Sequence, residues 1–286
     1  MKAPGTPGRL VVCPTPIGNL EDITLRALEA LREADLIVSE DTRRTRILLD
    51  RHGIAARPQA LHDRNERSAV AGIVAKIEAG EVVALVSDAG TPVVSDPGYL
   101  LIRACIESGL AVEVLPGATA VTTALVASGL PADSFRFIGF LPRRASDLER
   151  LFSNSAETLV AFESPRRIGS ALAVLASVDL GRPVAVCREL TKLHEEVVRG
   201  TAAELAESFS GDGTKGEITV VVGPGEPLAA ELSEAAKSVA ELIGSGAKPR
   251  AAARVVASLT GTRANDLYAA VEADSAGDPV GGAGGD

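Results

Sequence analysis

Val82-Val83-Ala84-Leu85-Val86 runs directly into Ser87-Asp88-Ala89-Gly90-Thr91-Pro92-Val93-Val94-Ser95-Asp96-Pro97-Gly98, and Tyr99-Leu100-Leu101-Ile102-Arg103-Ala104-Cys105-Ile106 follows. Five consecutive apolar residues read as a strand buried on both faces, and the pattern after Gly98 reads as a helix. The twelve residues between them are rich in Gly, Pro, Asp and Ser, whereas strand-to-helix loops usually take about 2–6 residues. An overlong loop at the carboxyl end of a buried strand is where open α/β sheets bind small ligands. The stretch therefore predicts both an α/β fold and a ligand site.

Working outward, the same strand–loop–helix order repeats. Residues 10–13 read as a strand, followed by Pro14-Thr15-Pro16-Ile17-Gly18-Asn19-Leu20, where two prolines exclude regular structure and hold the backbone extended. Asp22 or Thr24 can cap the next helix, with Leu25, Leu28 and Leu31 on one face. A second strand over 36–38 leads to Ser39-Glu40-Asp41-Thr42-Arg43-Arg44-Thr45-Arg46, and a helix is expected over 66–79. A strand over 111–115 ends in Pro116-Gly117-Ala118-Thr119-Ala120.

Near Gly129 the pattern changes. Strands over 135–140, 158–162, 184–188 and 218–222, with helical patterns between several of them, predict a second α/β unit with a mixed sheet. Gly223-Pro224-Gly225-Glu226-Pro227 reads as a linker to helices over 229–243, 248–259 and 262–271. The expected organisation is a flexible N-terminus (1–9), an α/β domain (10–117), a second α/β domain (118–225), a C-terminal helical segment (226–272) and a disordered tail (273–286).

Composition narrows the function. With 46% hydrophobic residues but only 3% aromatic and no Trp, the core must be aliphatic. No apolar run approaches the roughly 18 residues of a membrane span. The apolar run after Arg9 is too short for a secretory signal, so a cytoplasmic protein is expected. Cys13, Cys105 and Cys187 sit in apolar runs without metal-ligand spacing, so buried thiols and no metal are expected. A net charge of −9 argues against a general nucleic-acid coat, and no DNA or membrane partner is expected. Charge is nonetheless regional: residues 43–67 carry seven arginines against Asp50, Asp63 and Glu66, and include His52 and His62.

Four turns, at 14–19, 39–46, 87–98 and 116–120, stand at strand ends. None is a dinucleotide fingerprint or a Walker phosphate loop. They offer main-chain groups, small side chains and a few acids, which suits a ligand with an adenine and a ribose but no triphosphate.

Several motifs occur in order from about residue 10 to 271: LVVCPTPIGNLEDITLRAL (10–28), EDTR (40–43), LHDRNE (61–66), LVSDAGTP (85–92), FESPRR (162–167), CRELTK (187–192) and KGEITVVV (215–222). Together they resemble the bacterial 16S ribosomal RNA cytidine 2′-O-methyltransferases, members of the tetrapyrrole methylase-like (class III) S-adenosylmethionine enzymes. The resemblance implies two α/β domains with S-adenosylmethionine in the cleft between them. It implies methyl transfer to a cytidine ribose 2′-hydroxyl near the decoding centre of the small ribosomal subunit, by a homodimer that uses no metal.

Carried onto this sequence, the resemblance places Ile17 beside the cofactor and Asp88, Gly90, Thr91 and Pro92 in the cofactor loop. Thr91 stands where related enzymes carry the acid of a Gly-Gly-Asp-Pro turn, and Asp88 lies three residues earlier. Thr119 and Ala120, and from the second domain Phe162, Ile218 and Thr219, are further cofactor candidates. Arg188 is a further candidate for lining the cleft. A base near the acceptor hydroxyl would help the reaction, and Asp41, His62, Glu163 and Glu189 are available. Each has a structural reading: Asp41 as a helix cap, His62 as a surface residue, Glu163 as a local ion pair, Glu189 as a strand edge. RNA phosphates would be met by Arg43, Arg44, Arg46, Arg64, Arg143, Arg144, Arg166 and Arg167, and by Lys248, Arg250, Arg254 and Arg263 of the helical segment. Asn65 would orient substrate or form a turn, and Phe140 and Tyr268 are possible stacking platforms. Two rival functions remain: a tetrapyrrole-type small-molecule methyltransferase of the same fold, and a non-catalytic ribosome-assembly factor. The basic stretch weighs against the first and the intact loop against the second.

Overall fold

The computed structural model describes residues 8–211, 213–225, 229–260 and 262–276. Residues 1–7 and 277–286, which hold most of the expected flexible terminus and tail, lie outside them.

Alternation of aliphatic residues builds the first sheet. Its strands are β1 (Arg9–Cys13), β2 (Leu36–Ser39), β3 (Gln59–Ala60), β4 (Val82–Val86) and β5 (Ala111–Val114). All are parallel, in the order β3-β2-β4-β1-β5. Its crossovers carry α1 (Leu25–Glu33), α2 (Thr42–Arg51), α3 (Glu66–Glu78) and α4 (Tyr99–Glu107). Successive residues point to opposite faces. Val11, Cys13, Ile37, Ala84 and Val86 therefore pack on Leu28 and Leu31 of α1 and Leu49 of α2. Leu10, Val12, Val38, Val83 and Leu85 pack on Ile73 and Ile77 of α3 and Leu101 and Cys105 of α4. Covered on both sides, β4 has no exposed residue. Thr24 caps α1 by accepting the Ala27 N–H. Cys13 and Ser39 both pair with Val86, so β1, β2 and β4 end level and their loops open at one rim.

The second unit holds α5 (Ala120–Ser128), β6 (Phe135–Phe140), α6 (Ala145–Ser153), β7 (Thr158–Glu163), α7 (Ile168–Val178), β8 (Pro183–Arg188), β9 (Glu196–Thr201), α8 (Ala202–Ser208) and β10 (Ile218–Val222). Its sheet, β6-β7-β10-β8-β9, is parallel between β6 and β7 and antiparallel elsewhere. One face packs on α6, α7 and α8 through Phe152, Leu172, Leu175 and Leu205. The other packs on α5, whose Val121, Ala124 and Leu125 meet Val160, Ala185, Cys187 and Val221. Ile17 of the first unit joins that same cluster, so the two units share a hydrophobic seam.

Arg182 ties the far end of this sheet. It is 2% exposed, and its guanidinium donates to the carbonyls of Gly223 (2.8 Å), Ser155 (2.8 Å) and Phe152. Burial draws its pKa below the usual guanidinium range, and three backbone acceptors offset that cost.

Beyond Gly225 come α9 (Ala229–Gly244), α10 (Pro249–Thr260) and α11 (Ala264–Ala276). They form their own core around Val239, Ala253, Val256 and Leu267, and Arg250 lies over the Tyr268 ring at 5.9 Å. Helix α11 continues to Ala276, into the segment expected to be a disordered tail from residue 273.

Two further differences from the sequence expectation have physical causes. Strand β9 was not anticipated, because its residues are half-exposed at a sheet edge and interrupted by Arg199 and Gly200. The 14–19 stretch is not wholly irregular: Thr15 forms an antiparallel bridge with Gly90, at 2.8 and 3.0 Å. Prolines on either side of Thr15 leave its own N–H and C=O free to pair.

Candidate active site

The carboxyl ends of the first sheet face the ends of β7, β8 and β10 across a cleft of about 400 Å³. Ile17, Asp88, Gly90, Thr91, Thr119, Ala120, Phe162, Ile218 and Thr219 all line it, whereas Pro92 is buried in the same loop and does not. Register explains the second-domain wall: Thr219 of β10 pairs with Phe162 on one side and Cys187 on the other. Phe140 stands exposed at the cleft, edge-on to Phe162 at 5.7 Å. Burial pushes the Cys187 thiol up to about 11, so it stays neutral.

The 87–98 loop is fixed along its length. Thr15 Oγ1 donates to the Ser87 carbonyl (3.1 Å), Ser87 Oγ to the Gly90 carbonyl (3.0 Å) and Thr91 Oγ1 to the Ala118 carbonyl (3.4 Å). Gly90 has φ +78°, and a Cβ there would meet Ile17 Cγ2 at 3.4 Å. Glycine thus relieves the backbone and leaves the cleft floor low. Val93 and Ser95 also adopt positive φ, 76° and 67°, a strained state for non-glycine residues that clusters at functional sites.

Glu66 anchors the far end of the loop. Only 6% exposed, its Oε1 accepts from the N–H groups of Gly98 (3.0 Å), Leu100 (2.9 Å) and Leu101 (3.4 Å). It thereby supplies the start of α4 with the acceptor that Gly98 lacks. Glu66→Ala is expected to lower the unfolding free energy by about 2–3 kcal/mol and Glu66→Gln by about half that; urea denaturation measures both.

The base candidates fall in different settings. Asp41 caps α2 through the Arg43 N–H and pairs with the Arg43 guanidinium at 2.7 Å. These bonds hold its carboxyl down to about 2, and it does not line the cleft. His62 donates its backbone N–H to Asn65 Oδ1, while Asn65 Nδ2 bonds the Ala60 carbonyl, so Asn65 builds a turn. The His62 Nδ1 is buried without a hydrogen-bond partner. Glu189, at φ 52°, takes Lys192 Nζ and the Glu217 N–H, each at 2.8 Å. These bonds, the lysine's first, hold its carboxyl below the usual range. The same turn carries Thr191 Oγ1, which accepts the Asn19 N–H across the two units at 2.9 Å. Glu163 lines the cleft and is paired with Arg167 at 3.2 Å.

Three acids that are not among the candidates above line the cleft with Asp88: Glu40, Asp96 and, on the opposite wall, Glu217. Burial, then repulsion from Asp88 and Asp63, raises Glu40. Burial, then Glu40 and Asp88, pushes Asp96 up to about 7. Asp88 itself accepts the Asp41 N–H at 2.8 Å and lies 3.6 Å from Arg44. The loop composition held this signal only as two acids among turn residues.

Of the arginines, Arg44 lines the cleft. Arg143, Arg144 and Arg166 are exposed on loops that leave β6 and β7 beside it, while Arg167 is held by the Pro142 carbonyl and Glu163. Arg43, Arg46 and Arg64 are exposed on the first unit, and Lys248, Arg250 and Arg254 on the helical unit.

The donor set suits a cationic adenosyl ligand. Ile17, Phe162, Leu190 and Ile218 offer apolar surface, the small residues Thr119 and Ala120 admit close approach, and carboxylates stand ready for hydroxyls and a positive charge. A parallel sheet facing a mixed sheet across such a cleft is the arrangement of the tetrapyrrole methylase fold. The family Tetrapyrrole (Corrin/Porphyrin) Methylases matches residues 9–206. A protein of Mesorhizobium japonicum named ribosomal RNA small subunit methyltransferase I is 45% identical, covering 91% of this chain and 90% of its own. A protein of the same name from Mycobacterium bovis is 47% identical, covering 92% and 94%. Uroporphyrin-III C-methyltransferase from Thermus thermophilus, solved with S-adenosyl homocysteine, superimposes at TM-score 0.54 with 22% identity, covering 75% of this chain and 97% of its own. The chain belongs to the tetrapyrrole methylase family of S-adenosylmethionine-dependent methyltransferases and, within it, to the ribosomal RNA small subunit methyltransferase I group.

Proposed function

We propose that this chain methylates the 2′-hydroxyl of a cytidine in 16S RNA of the small ribosomal subunit, near the decoding centre, using S-adenosylmethionine. The observation that carries the reading is identity of 45–47% across nine-tenths of the chain to proteins named for that subunit's RNA. The cofactor supplies an activated methyl group on a sulfonium centre. Ile17, Gly90, Thr119, Ala120, Ile218 and Thr219 would hold it, with Asp88 on its polar side. In-line displacement needs alignment more than covalent help, and two sheets joined by a common seam provide a rigid frame.

Exposed arginines on both sides of the cleft favour a polyanionic substrate over a tetrapyrrole. The protein works as a homodimer in the cytoplasm on this reading. Leu25 and Val114, exposed at 84% and 60% and neighbours of the Arg26–Glu113 ion pair, are apolar surface that a second copy would cover.

The test is incubation with methyl-labelled cofactor and unmodified small subunits, followed by digestion to nucleosides. Label in 2′-O-methylcytidine is the expected result. Label in a tetrapyrrole and none in RNA, or binding without transfer, overturns it. Affinity for the subunit is expected to fall with salt at a log–log slope steeper than about −3, read from filter binding; a flat slope contradicts phosphate contact by the arginines.

A further inference from the structure

Phe140 ends β6 and stands 61% exposed at the cleft. That exposure leaves the ring little part in the core, yet the strand departs from regular pairing to place it. Phe137 and Phe140 are three residues apart, so an unbroken strand would send them to opposite faces. Instead Phe137 pairs with Val160 and Phe140 with Phe162, so β6 takes three residues where β7 takes two. Gly139, within this bulge, adopts φ +69°, a state that glycine reaches without steric cost. The extra residue brings both rings to Phe162, at 5.1 and 5.7 Å. Bulges next to active sites commonly re-aim a side chain. Resting on the functional reading above, we infer that the acceptor nucleotide leaves its stack in the RNA and that its base lies on the Phe140 ring, which sets its ribose before the cofactor.

The chain is fixed on both sides of the ring. The Leu141 N–H donates to the Phe162 carbonyl at 3.1 Å, the Leu141 side chain is buried in the second core, and Arg167 donates to the Pro142 carbonyl at 2.6 Å. A Cβ on Gly139 would lie 3.8 Å from Ser95 Oγ, so here the second wall comes close to the 87–98 loop. Phe140 is a rigid platform at the rim of the cleft. Three of the six phenylalanines of a chain without Trp are grouped on this wall.

A base of the substrate is the occupant that fits. A ribose hydroxyl in stacked RNA reaches a methyl group held between two sheets only when its nucleotide turns out of the helix. The base then loses the stacking of its neighbours, and an aromatic face replaces it, whichever base is presented. Stacking of this kind does not choose cytidine over other bases; it positions the nucleotide. The surroundings suit the phosphates attached to that base: Arg143 and Arg144 follow Phe140 in the chain, Arg166 follows Phe162, and all three are exposed. The adenine of the cofactor fits the ring less well. Small ligands are largely enclosed by their pockets, and the enclosed apolar surface of this cleft is at Ile17 and Ile218, whereas Phe140 faces the solvent from which RNA arrives. A second copy of the chain seated on the ring would close the cleft to its substrate.

Photochemistry on the unaltered protein tests the contact. The methylated cytidine is first located with labelled cofactor. Small subunits carrying 5-iodocytidine at that position are then irradiated in complex with the protein and S-adenosylhomocysteine. A cross-link to Phe140, mapped by peptide mass spectrometry, is the expected result. Rates test what the contact does. Phe140→Ala and Phe140→Leu are each expected to slow single-turnover transfer at low subunit concentration about 10-fold or more, while Phe140→Tyr stays within about threefold and S-adenosylhomocysteine affinity within about twofold. Thermal melting checks that each variant folds. A cross-link elsewhere, or transfer by Phe140→Ala or Phe140→Leu within about twofold of the unaltered rate, overturns the inference. So does a loss of S-adenosylhomocysteine affinity of about tenfold in Phe140→Ala, which would give the ring to the cofactor. A changed oligomeric state of that variant by light scattering, which would give the ring to a second copy, overturns it as well. If the unaltered protein places no label in ribosomal RNA, the functional reading fails; if it does, and Phe140→Ala labels as fast, only the stacking role fails.

Discussion

Ala120→Phe is expected to raise the dissociation constant for S-adenosylhomocysteine about 100-fold, or about 2.7 kcal/mol, while the protein stays folded. Ala120 begins α5 and lines the cleft, and a ring placed there enters a cavity of only about 400 Å³. The surroundings cannot retreat easily, because the next turn of α5 is packed against the second sheet through Val121, Ala124 and Leu125. Overfilling a packed site typically costs about 1–3 kcal/mol. Ala120→Ser, nearly equal in size, is expected to bind within a few-fold of the unaltered protein. Isothermal titration of both variants, with thermal melting as the check on folding, decides the matter. Unchanged affinity in the phenylalanine variant would place the cofactor elsewhere.

Arg182→Met is expected to lower the unfolding free energy by about 3 kcal/mol or more. The substitution keeps much of the side-chain bulk but leaves the Gly223, Ser155 and Phe152 carbonyls without the donor they share. Each orphaned buried acceptor costs about 1–3 kcal/mol. The Ser155 carbonyl keeps one bond, since Gly225 N–H donates to it at 3.0 Å. Arg182 precedes β8 and Gly223 follows β10, so this tie is at the opposite end of the sheet from Cys187 and Ile218 in the cleft. Cofactor affinity of the folded protein is therefore expected to be unchanged. Urea denaturation gives the stability and titration calorimetry the affinity.

The contrast between these two residues shows what the sequence exposes. The turn that holds Ala120 was legible because it starts with Pro116-Gly117 at a strand end, and the family resemblance pointed to Ala120 within it. The central strands β4 and β10 were legible from composition: a five-residue aliphatic run, or one broken only by Thr219, has few other uses. Arg182 and Glu66 were not. A lone arginine before a strand and a lone glutamate at a helix start look like surface charges until the chain is folded over them. Their partners are backbone groups 27 to 41 residues away for Arg182 and 32 to 35 for Glu66, and backbone carries no sequence signature. Strand β3, two residues long, is below any periodicity. Asp96 was in view within the loop, but only its enclosure beside Glu40 and Asp88 distinguishes it from an ordinary turn aspartate.

The aliphatic core has a spectroscopic consequence. The chain contains no Trp and two Tyr. Tyr268 belongs to the helical unit, beside Arg250, and Tyr99 is the first residue of α4, exposed next to Gly98. Near-ultraviolet emission from this protein therefore arises at two places, and one of them is the end of the 87–98 loop. Replacing Tyr268 by phenylalanine would leave a native fluorophore reporting on that loop alone, with no label added and nothing inserted into the cleft.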